Sequence, residues 1–308
     1  MAELEITAGF ATIGQGAGPM IVTQRAGLFA QQGLDVEVRI MNGAPNVIKG
    51  LMSGEIQFGN LAAPSLLKAV LLGEADTVFL TGGINQQFLV GRPGLKDRKE
   101  LSGGKIVIAN DNGFKDVLVH FVIEQLKKQG ITNVSTVWHA ETTMNSLLQG
   151  EYDADIFSPP LAVVARQKGC AFLIDFAEYG LNYALGGIAA RRSYIEEHPD
   201  IAAKFIKAYV AGMHRYRTDR SFTAGVQQEY SGLADRSIAE ETYDITQPGM
   251  PRVPYPVTSA LATALRLMAK NFPLAATADA KRFVEDRFLR EIEQSGFIAS
   301  LYGTKATK

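Results

Sequence analysis

Residues 34–40, LDVEVRI, alternate without a break, with Leu34, Val36, Val38 and Ile40 set against Asp35, Glu37 and Arg39. A period of two sends one row into a core and the other into water, so the segment is predicted as a strand with one wet face, near a sheet edge. Ahead of it, LEITA (4–8) reads as a first strand ending at Gly9, and the loop GFATIGQGAG runs into a helix at Pro19. Proline suits that first position because its missing N–H costs nothing there. The helix ends near Gly27. After the alternating strand, MNGAPN opens a helix at Pro45 whose apolar face is Val47, Ile48, Leu51 and Met52, and Gly54 closes it. EIQF (55–58), GNLAAPS, SLLKAVLLG and TVFLTGG (77–83) continue as strand, loop, helix and strand. That order implies a parallel sheet covered on both faces.

The order starts again at Gly104. KIVIAN (105–110) is a strand and DNGFK its loop; a helix follows to about Gln129, with Val117, Leu118, Phe121, Val122 and Leu126 on one side. It closes on Lys127, Lys128 and Gly130, cations and glycine where a carbonyl end favours them. VSTVWH (134–139) is the next strand, with Trp138 expected to face the interior, opposite His139. AETTMNSLLQ and then YDADIF, ending at Ser158-Pro159-Pro160, complete the round. LMSGEIQFGN (51–60) and its paler copy LLQGEYDADI (147–156) fall at the same point of the two rounds. The chain is therefore expected to build two α/β units of one kind. Beyond Pro199 only helical patterns remain: a stripe of Ile201, Phe205, Tyr209, Val210 and Met213, then segments near 235–243, 256–270 and 281–295. This tail is expected to pack on one of the units.

The 308 residues suit about two domains. A formal charge of -1 offers no nucleic-acid surface. The single Cys170 excludes an intramolecular disulfide and a thiolate metal cage. No apolar run approaches the ~20 residues of a membrane span. Histidines stand at 120, 139, 198 and 214, and no nucleophile–base pairing, metal-ligand spacing or phosphate loop is readable, so neither cofactor nor metal is expected. Met1-Ala2 leads almost directly into the first strand, which leaves open both a cytosolic protein and one whose leader has been trimmed.

In open parallel sheets ligands sit beyond the carboxyl ends of the strands, where helix N-termini attract anions without any lysine. The loops concerned are 10–18, 42–46, 60–65, 111–116, 139–143 and 157–160. Thr12, Gly14, Gln15 and Gly16 can present a hydroxyl, an amide and close backbone, or form a polar turn. Asn42, Gly43 and Asn60 either meet a ligand or cap turns. Asp111, Asn112 and Lys115 open the second unit's first helix, where Asn112 can be an N-cap and Lys115 a solvated first-turn residue. His139 can donate to an oxyanion or be structural. Phe10, Phe157 and Tyr183 offer apolar walls or core packing, and Ser158 stands beside Phe157. So few formal charges favour a small ligand with one anionic headgroup, since a multiply charged ion calls for arginine forks. The aromatic candidates add an organic body, a sulfonate or a carboxylate.

The stretch GFATIGQGAGPMIVTQRAGLFAQQGLDVEVRIMNGAPNVIKGLMSGEIQFGN, with ELSGGKIVIAN and GGIAARRSYIEEHPD after it, resembles the substrate-binding proteins of nitrate/sulfonate/taurine-type ABC importers over roughly residues 4–215. It is also similar to thiamine-pyrimidine-precursor binding proteins. Gln57 departs from that pattern, which has Asp there. The resemblance implies an α/β, two-lobed type II periplasmic binding protein, each lobe a mainly parallel sheet flanked by helices. It implies two hinge crossings, near Gln87–Gly91 and Gly186–Ala190, with Gln86 beside the first as a further ligand candidate. Lobe one is then 1–88 plus 188–308, carrying the C-terminal helices, and lobe two is 89–187. The implied function is non-catalytic capture of a small organic anion in the periplasm, by a monomer that delivers it to a permease. An enzyme on the same fold, acting on a small acid or pyrimidine, and a cytosolic ligand sensor are the competing functions; against pyrimidine synthesis, the cysteine-rich segment is missing.

Overall fold

A computed structural model describes residues 4–83, 86–108, 114–139, 144–179 and 186–303. Among the described residues ten strands are formed: β1 (Leu4–Phe10), β2 (Leu34–Ile40), β3 (Phe58–Leu61), β4 (Thr77–Phe79), β5 (Phe88–Gly91), β6 (Lys105–Ile108), β7 (Ser135–Trp138), β8 (Ala154–Phe157), β9 (Ala171–Asp175) and β10 (Gly187–Arg191). They make two five-stranded sheets, ordered β2-β1-β3-β10-β4 and β7-β6-β8-β5-β9. β1 pairs in parallel with β2 and β3, and β6 with β7 and β8. The fourth position of each sheet is antiparallel to both neighbours, filled by β10 in the first and β5 in the second. These are the strands on which the chain enters a sheet from the other one. The mainly parallel, two-sheet architecture expected from the repeat is present, with the same order in both halves.

The helices between strands are α1 (Gly18–Arg25), α2 (Ala44–Ser53), α3 (Ala63–Leu71), α4 (Phe114–Lys128), α5 (Met144–Gln149) and α6 (Leu161–Gln167). After β10 come α7 (Arg192–Glu197), α8 (Pro199–Thr218), α9 (Arg220–Ser231), α10 (Arg236–Thr246), α11 (Thr258–Met268), α12 (Arg287–Gln294) and α13 (Phe297–Leu301). The stripe read from the sequence docks α8 onto the first sheet: Phe205 stacks on Phe58 of β3, ring centroids 3.8 Å apart, and on Phe29 at 4.8 Å. Burying a side chain of this size contributes about 1.5–3 kcal/mol. The tail also reaches the second unit. α10 packs on α6, and α11 packs on both α3 and α4.

Three local readings change. β3 begins at Phe58 rather than Glu55. Past the left-handed cap at Gly54, the Ile56 N–H still bonds the Gly50 carbonyl (3.2 Å), so the chain joins β1 only at Gln57. Gln57 earns its place there, because its N–H donates to the Thr7 carbonyl (2.9 Å) and its Oε1 accepts the Thr7 N–H (2.8 Å). β4 stops at Phe79 because the Leu80 and Thr81 N–H groups turn to the Ile188 carbonyl, at 2.7 and 3.3 Å. Trp138, expected inside, is 64% exposed. β7 is an outer strand, and its pleat gives the core face to Val137, which leaves Trp138 to solvent on the other side.

The two crossings run side by side without room for side chains. A Cβ on Gly83 would lie 1.8 Å from the Gly186 carbonyl oxygen, and one on Gly187 would lie 2.0 Å from the Thr81 oxygen. Gly186 itself has φ +151° and faces the Leu61 oxygen at 1.9 Å from a built Cβ. The Thr81 hydroxyl accepts the Ile188 N–H (2.9 Å), locking the return strand to the outgoing one. Because backbone, unlike a flexible side chain, cannot swing aside, Gly187→Ala is expected to cost roughly 3 kcal/mol or more, at the high end for overpacking. Urea unfolding should show a lower midpoint at unchanged slope; an unaltered midpoint would contradict the close approach.

Candidate functional site

The loops after β1, β2 and β3 are laced together at one edge of the first sheet. The Ala11 N–H donates to the Asn60 carbonyl (3.0 Å), the Met41 N–H to the Phe10 carbonyl (2.8 Å), and the Gly43 N–H to the Ala11 carbonyl (2.7 Å). Asn42 holds a positive φ of 53°, and its carbonyl and that of Met41 accept from the Asn46 amide at 3.2 and 2.9 Å. Asn60 is almost buried, and its Oδ1 would sit 3.4 Å from a Cβ on Gly16. The side chain therefore projects toward the turn Gln15–Ala17. Thr12 is exposed, whereas Phe10 is 7% exposed and packs in the first sheet's core. None of α1, α2, α3 and α6 has a side-chain N-cap. Of these, α1, α2 and α3 start at this edge and α6 on the second sheet, and helix N-termini favour negative charge.

On the second sheet the corresponding edge carries a polar chain of contacts. Lys115, in the first turn of α4, is ion-paired with Asp155, and its Nζ lies 5.8 Å from the centre of the Phe157 ring. Asp155 is fully buried in β8. Its Oδ1 also accepts the Ile156 N–H at 2.6 Å, while Oδ2 is without a hydrogen-bond partner among the described residues. Burial pushes the Asp155 carboxyl upward, and the Lys115 ammonium, the Ile156 N–H and the Tyr152 hydroxyl pull against it. His139 pairs with Glu151 (2.9 Å) and sets its ring edge-on to Tyr152, centroids 6.0 Å apart. Lys115 and His139 are therefore joined through Tyr152 and Asp155 into one cluster. Phe157 is buried in the second sheet's core, and Ser158 is half-buried just beyond it.

The two edges meet. A Cβ built on Gly14 would be 3.6 Å from the Ser158 hydroxyl oxygen, which is ordinary contact distance between the rim of one unit and the rim of the other. Gly14 is held from behind by Tyr230, whose hydroxyl donates to its carbonyl (3.2 Å). Gln86 is half-buried at the first crossing. Asp111, Asn112 and Tyr183 lie outside the described residues. The structure thus brings together Gly14 with Ser158, Gly16 with Asn60, Asn42 and Gly43 with the first loop, and Lys115 with Phe157.

Sequence reasoning missed Asp155, Tyr152 and Tyr230. A carboxylate in the middle of YDADIF, a strand that is otherwise buried, was the available signal for the first. Tyr230 lies on α9, a helix absent from the sequence reading. Its ends were legible, since the Asp219 carboxylate accepts the Phe222 N–H (3.1 Å) and Gly232 closes it in the left-handed conformation.

With this geometry established, known proteins can be compared. The model of the family described as NMT1/THI5 like matches residues 16–219. A taurine-binding periplasmic protein of Escherichia coli (strain K12) is 24% identical over 294 residues, which is 89% of this chain and 90% of that one. The crystal structure of the periplasmic aliphatic sulphonate binding protein SsuA from Escherichia coli superposes with a TM-score of 0.71 at 15% identity, covering 92% of both chains. The periplasmic nitrate-binding protein NrtA from Synechocystis PCC 6803 gives a TM-score of 0.74 at 13% identity, covering 96% of this chain and 90% of that one. At such identities the structural likeness establishes the fold.

The Lys115–Asp155 pair has a pH signature. Burial raises the folded carboxyl above its unfolded value, so its protonated form is favoured in the folded state and stability from this group falls as pH rises. Lys115→Met removes a charge that opposes this shift, so its cost is expected to be about 3 kcal/mol at pH 7. The cost should shrink as pH falls through the raised folded value of the carboxyl, above the ordinary carboxylate range, because the protonated group no longer needs the cation. Denaturation midpoints of both proteins across that range check the sign; a cost independent of pH would be incompatible with the pairing.

Proposed function

This chain belongs to the NMT1/THI5-like family, and from that premise we propose that it is the solute-binding component of an ABC importer. It captures a small organic anion, a sulfonate or carboxylate, between two lobes and releases it chemically unchanged to a permease. The moving bodies are residues 1–88 with 188–308, and residues 89–187, joined by the two glycine-lined crossings. It works in the periplasm as a monomer.

The observation that carries this reading is the approach of Gly14 to Ser158, which places loops from two separate sheets within contact distance of each other. A ligand touching both rims gains contacts only when they are together, and that difference is the driving force for closure. The electrostatics favour a single anionic headgroup. Lys115 already has its counter-charge in Asp155, so the pair adds little net charge to the cleft. Uncapped helix ends and neutral donors from Thr12, Gln15, Asn42, Asn60 and Ser158 are left to hold the anion, with Gly14 and Gly43 admitting it to the backbone. Asp111, Asn112, Gln86 and His139 complete the polar ring of the proposal and Tyr183 a wall around an organic body, while Phe10 and Phe157, buried in the two sheet cores, back the rims from beneath. Names borne by the relatives, taurine, aliphatic sulphonate and nitrate among them, support an anion with one acidic group.

A thermal-shift screen of ethanesulfonate, 2-aminoethanesulfonate, short carboxylates, nitrate and pyrimidines tests the reading. A bound member at a hundred times its dissociation constant should stabilise the protein by about 2.7 kcal/mol, and mass spectrometry should recover it intact. A ligand recovered as product would replace capture by catalysis.

A further inference from the structure

The two units touch at places other than the crossings and the rims, and those places differ in kind. Between α4 and α11 the contact has an apolar inner side, continuous with a core shared by both units, and a polar margin. Val117 and Phe121 of α4 and Leu267 of α11 line a common cavity with Asp116, His120, Lys270 and Asn271, and Leu66 of α3, Val122 and Leu265 belong to one buried cluster. Lys270, just past α11, adds an ion pair with Glu124 at its solvent edge. Between α10 and α6 the contact is thin. Arg166 of α6 pairs with Glu241 of α10, both partly exposed, and Ile245 one turn on packs against the cluster that contains Phe157. The Arg166 guanidinium is set for this by lying over the Phe172 ring, 4.7 Å from its centre.

The thin contact sits at the mouth of the site. α6 begins at Leu161, directly behind Ser158. α10 packs along α9, and α9 carries Tyr230, the residue that holds Gly14 on the opposite rim. The α9–α10 hairpin thus grips one rim by a hydroxyl and the element behind the other rim by an ion pair and a methyl-bearing side chain.

We propose that the α9–α10 hairpin is a closure clasp, in which the Arg166–Glu241 pair and Ile245 bias the cleft toward its closed form and so set apparent ligand affinity without touching the ligand. This rests on the solute-binding reading. The α4–α11 contact, buried and apolar on its inner side, stays together as the pivot, because parting it would expose a continuous core, whereas parting α10 from α6 exposes one side chain and solvates two charges that are already half in water. A ligand whose competent state is only partly populated binds more weakly by that fraction, so any change in the clasp appears in affinity.

The test places spin labels on the exposed rim residues, Ile13→Cys and Leu161→Cys, in a Cys170→Ser background, and reads their distance distribution in the ligand-free protein. Glu241→Arg should move population from the short to the long distance. It should also weaken binding of the best member of the screened panel by about five-fold, the scale of one partly exposed ion pair. The charge-swapped double variant, Arg166→Glu with Glu241→Arg, should bring both readouts back to within about two-fold of the starting protein. An unchanged distance distribution in Glu241→Arg overturns the clasp, as does a shift that the swap leaves in place. The distances decide this even if no probe binds at all, a result that would count against the solute-binding reading alone.

Discussion

Two backbone segments must pass each other at the join between the sheets, with glycines where the main chains come closest. Gly82 and Gly83 leave the first sheet and Gly186 and Gly187 return to it, and each, given a Cβ, would run into another segment's main chain. Packing this tight has two consequences. It brings the Thr81 hydroxyl and the Leu80 and Thr81 N–H groups onto Ile188, so both crossings are tied at their first-sheet end. It also fixes the first-sheet end of the join, after which β5 begins the second sheet at Phe88. A join that is narrow and fixed at one end holds the Gly14 rim in register with the Ser158 rim.

Register matters because each rim holds half of the proposed site. The first sheet contributes loops whose N–H groups are already bonded to one another, leaving uncapped helix ends as the source of positive potential. The second contributes the Lys115–Asp155 pair, a cation neutralised at source. Asp155 is completely buried, and removing its partner would leave an uncompensated charge in the strand. Asp155 stands two residues before the end of β8, next to the rim that approaches Gly14, so the pair that holds β8 in place also sets the charge beside that rim.

Alternation and order along the chain made much of this visible. LDVEVRI is a strand with its ends as predicted, because one of its faces is wet and the alternation is written in charges. The strands that close the sheets were not legible as strands. FLVG and most of GIAAR are buried on both faces, so neither shows a period of two, and only a family resemblance drew attention to them. Trp138 failed for a related reason, since alternation says which residues share a face but not which face is covered at a sheet edge. The pairing of Lys115 with Asp155 and of Tyr230 with Gly14 joins residues far apart in sequence, 40 and 216 positions respectively for the two contacts. Local pattern carries no trace of either.

The two antiparallel strands impose an order on assembly. β5 reaches the second sheet before the strands around it are made, so β9 finds its partner waiting. The first sheet is different: β4 pairs along its length only with β10, and β10 arrives after the whole second unit has been synthesised. Until then β4 is held mainly by the apolar side chains beneath it, and the gap between β3 and β4 stays open. Pairings of such long sequence separation close late, because the loop entropy must be met before the contacts reward it. Completion of the first sheet therefore depends on the second having folded and returned the chain, and the C-terminal helices, which follow β10, can dock only after that. The glycine-lined join is the last internal contact that the first sheet needs, because β10 begins directly after Gly186.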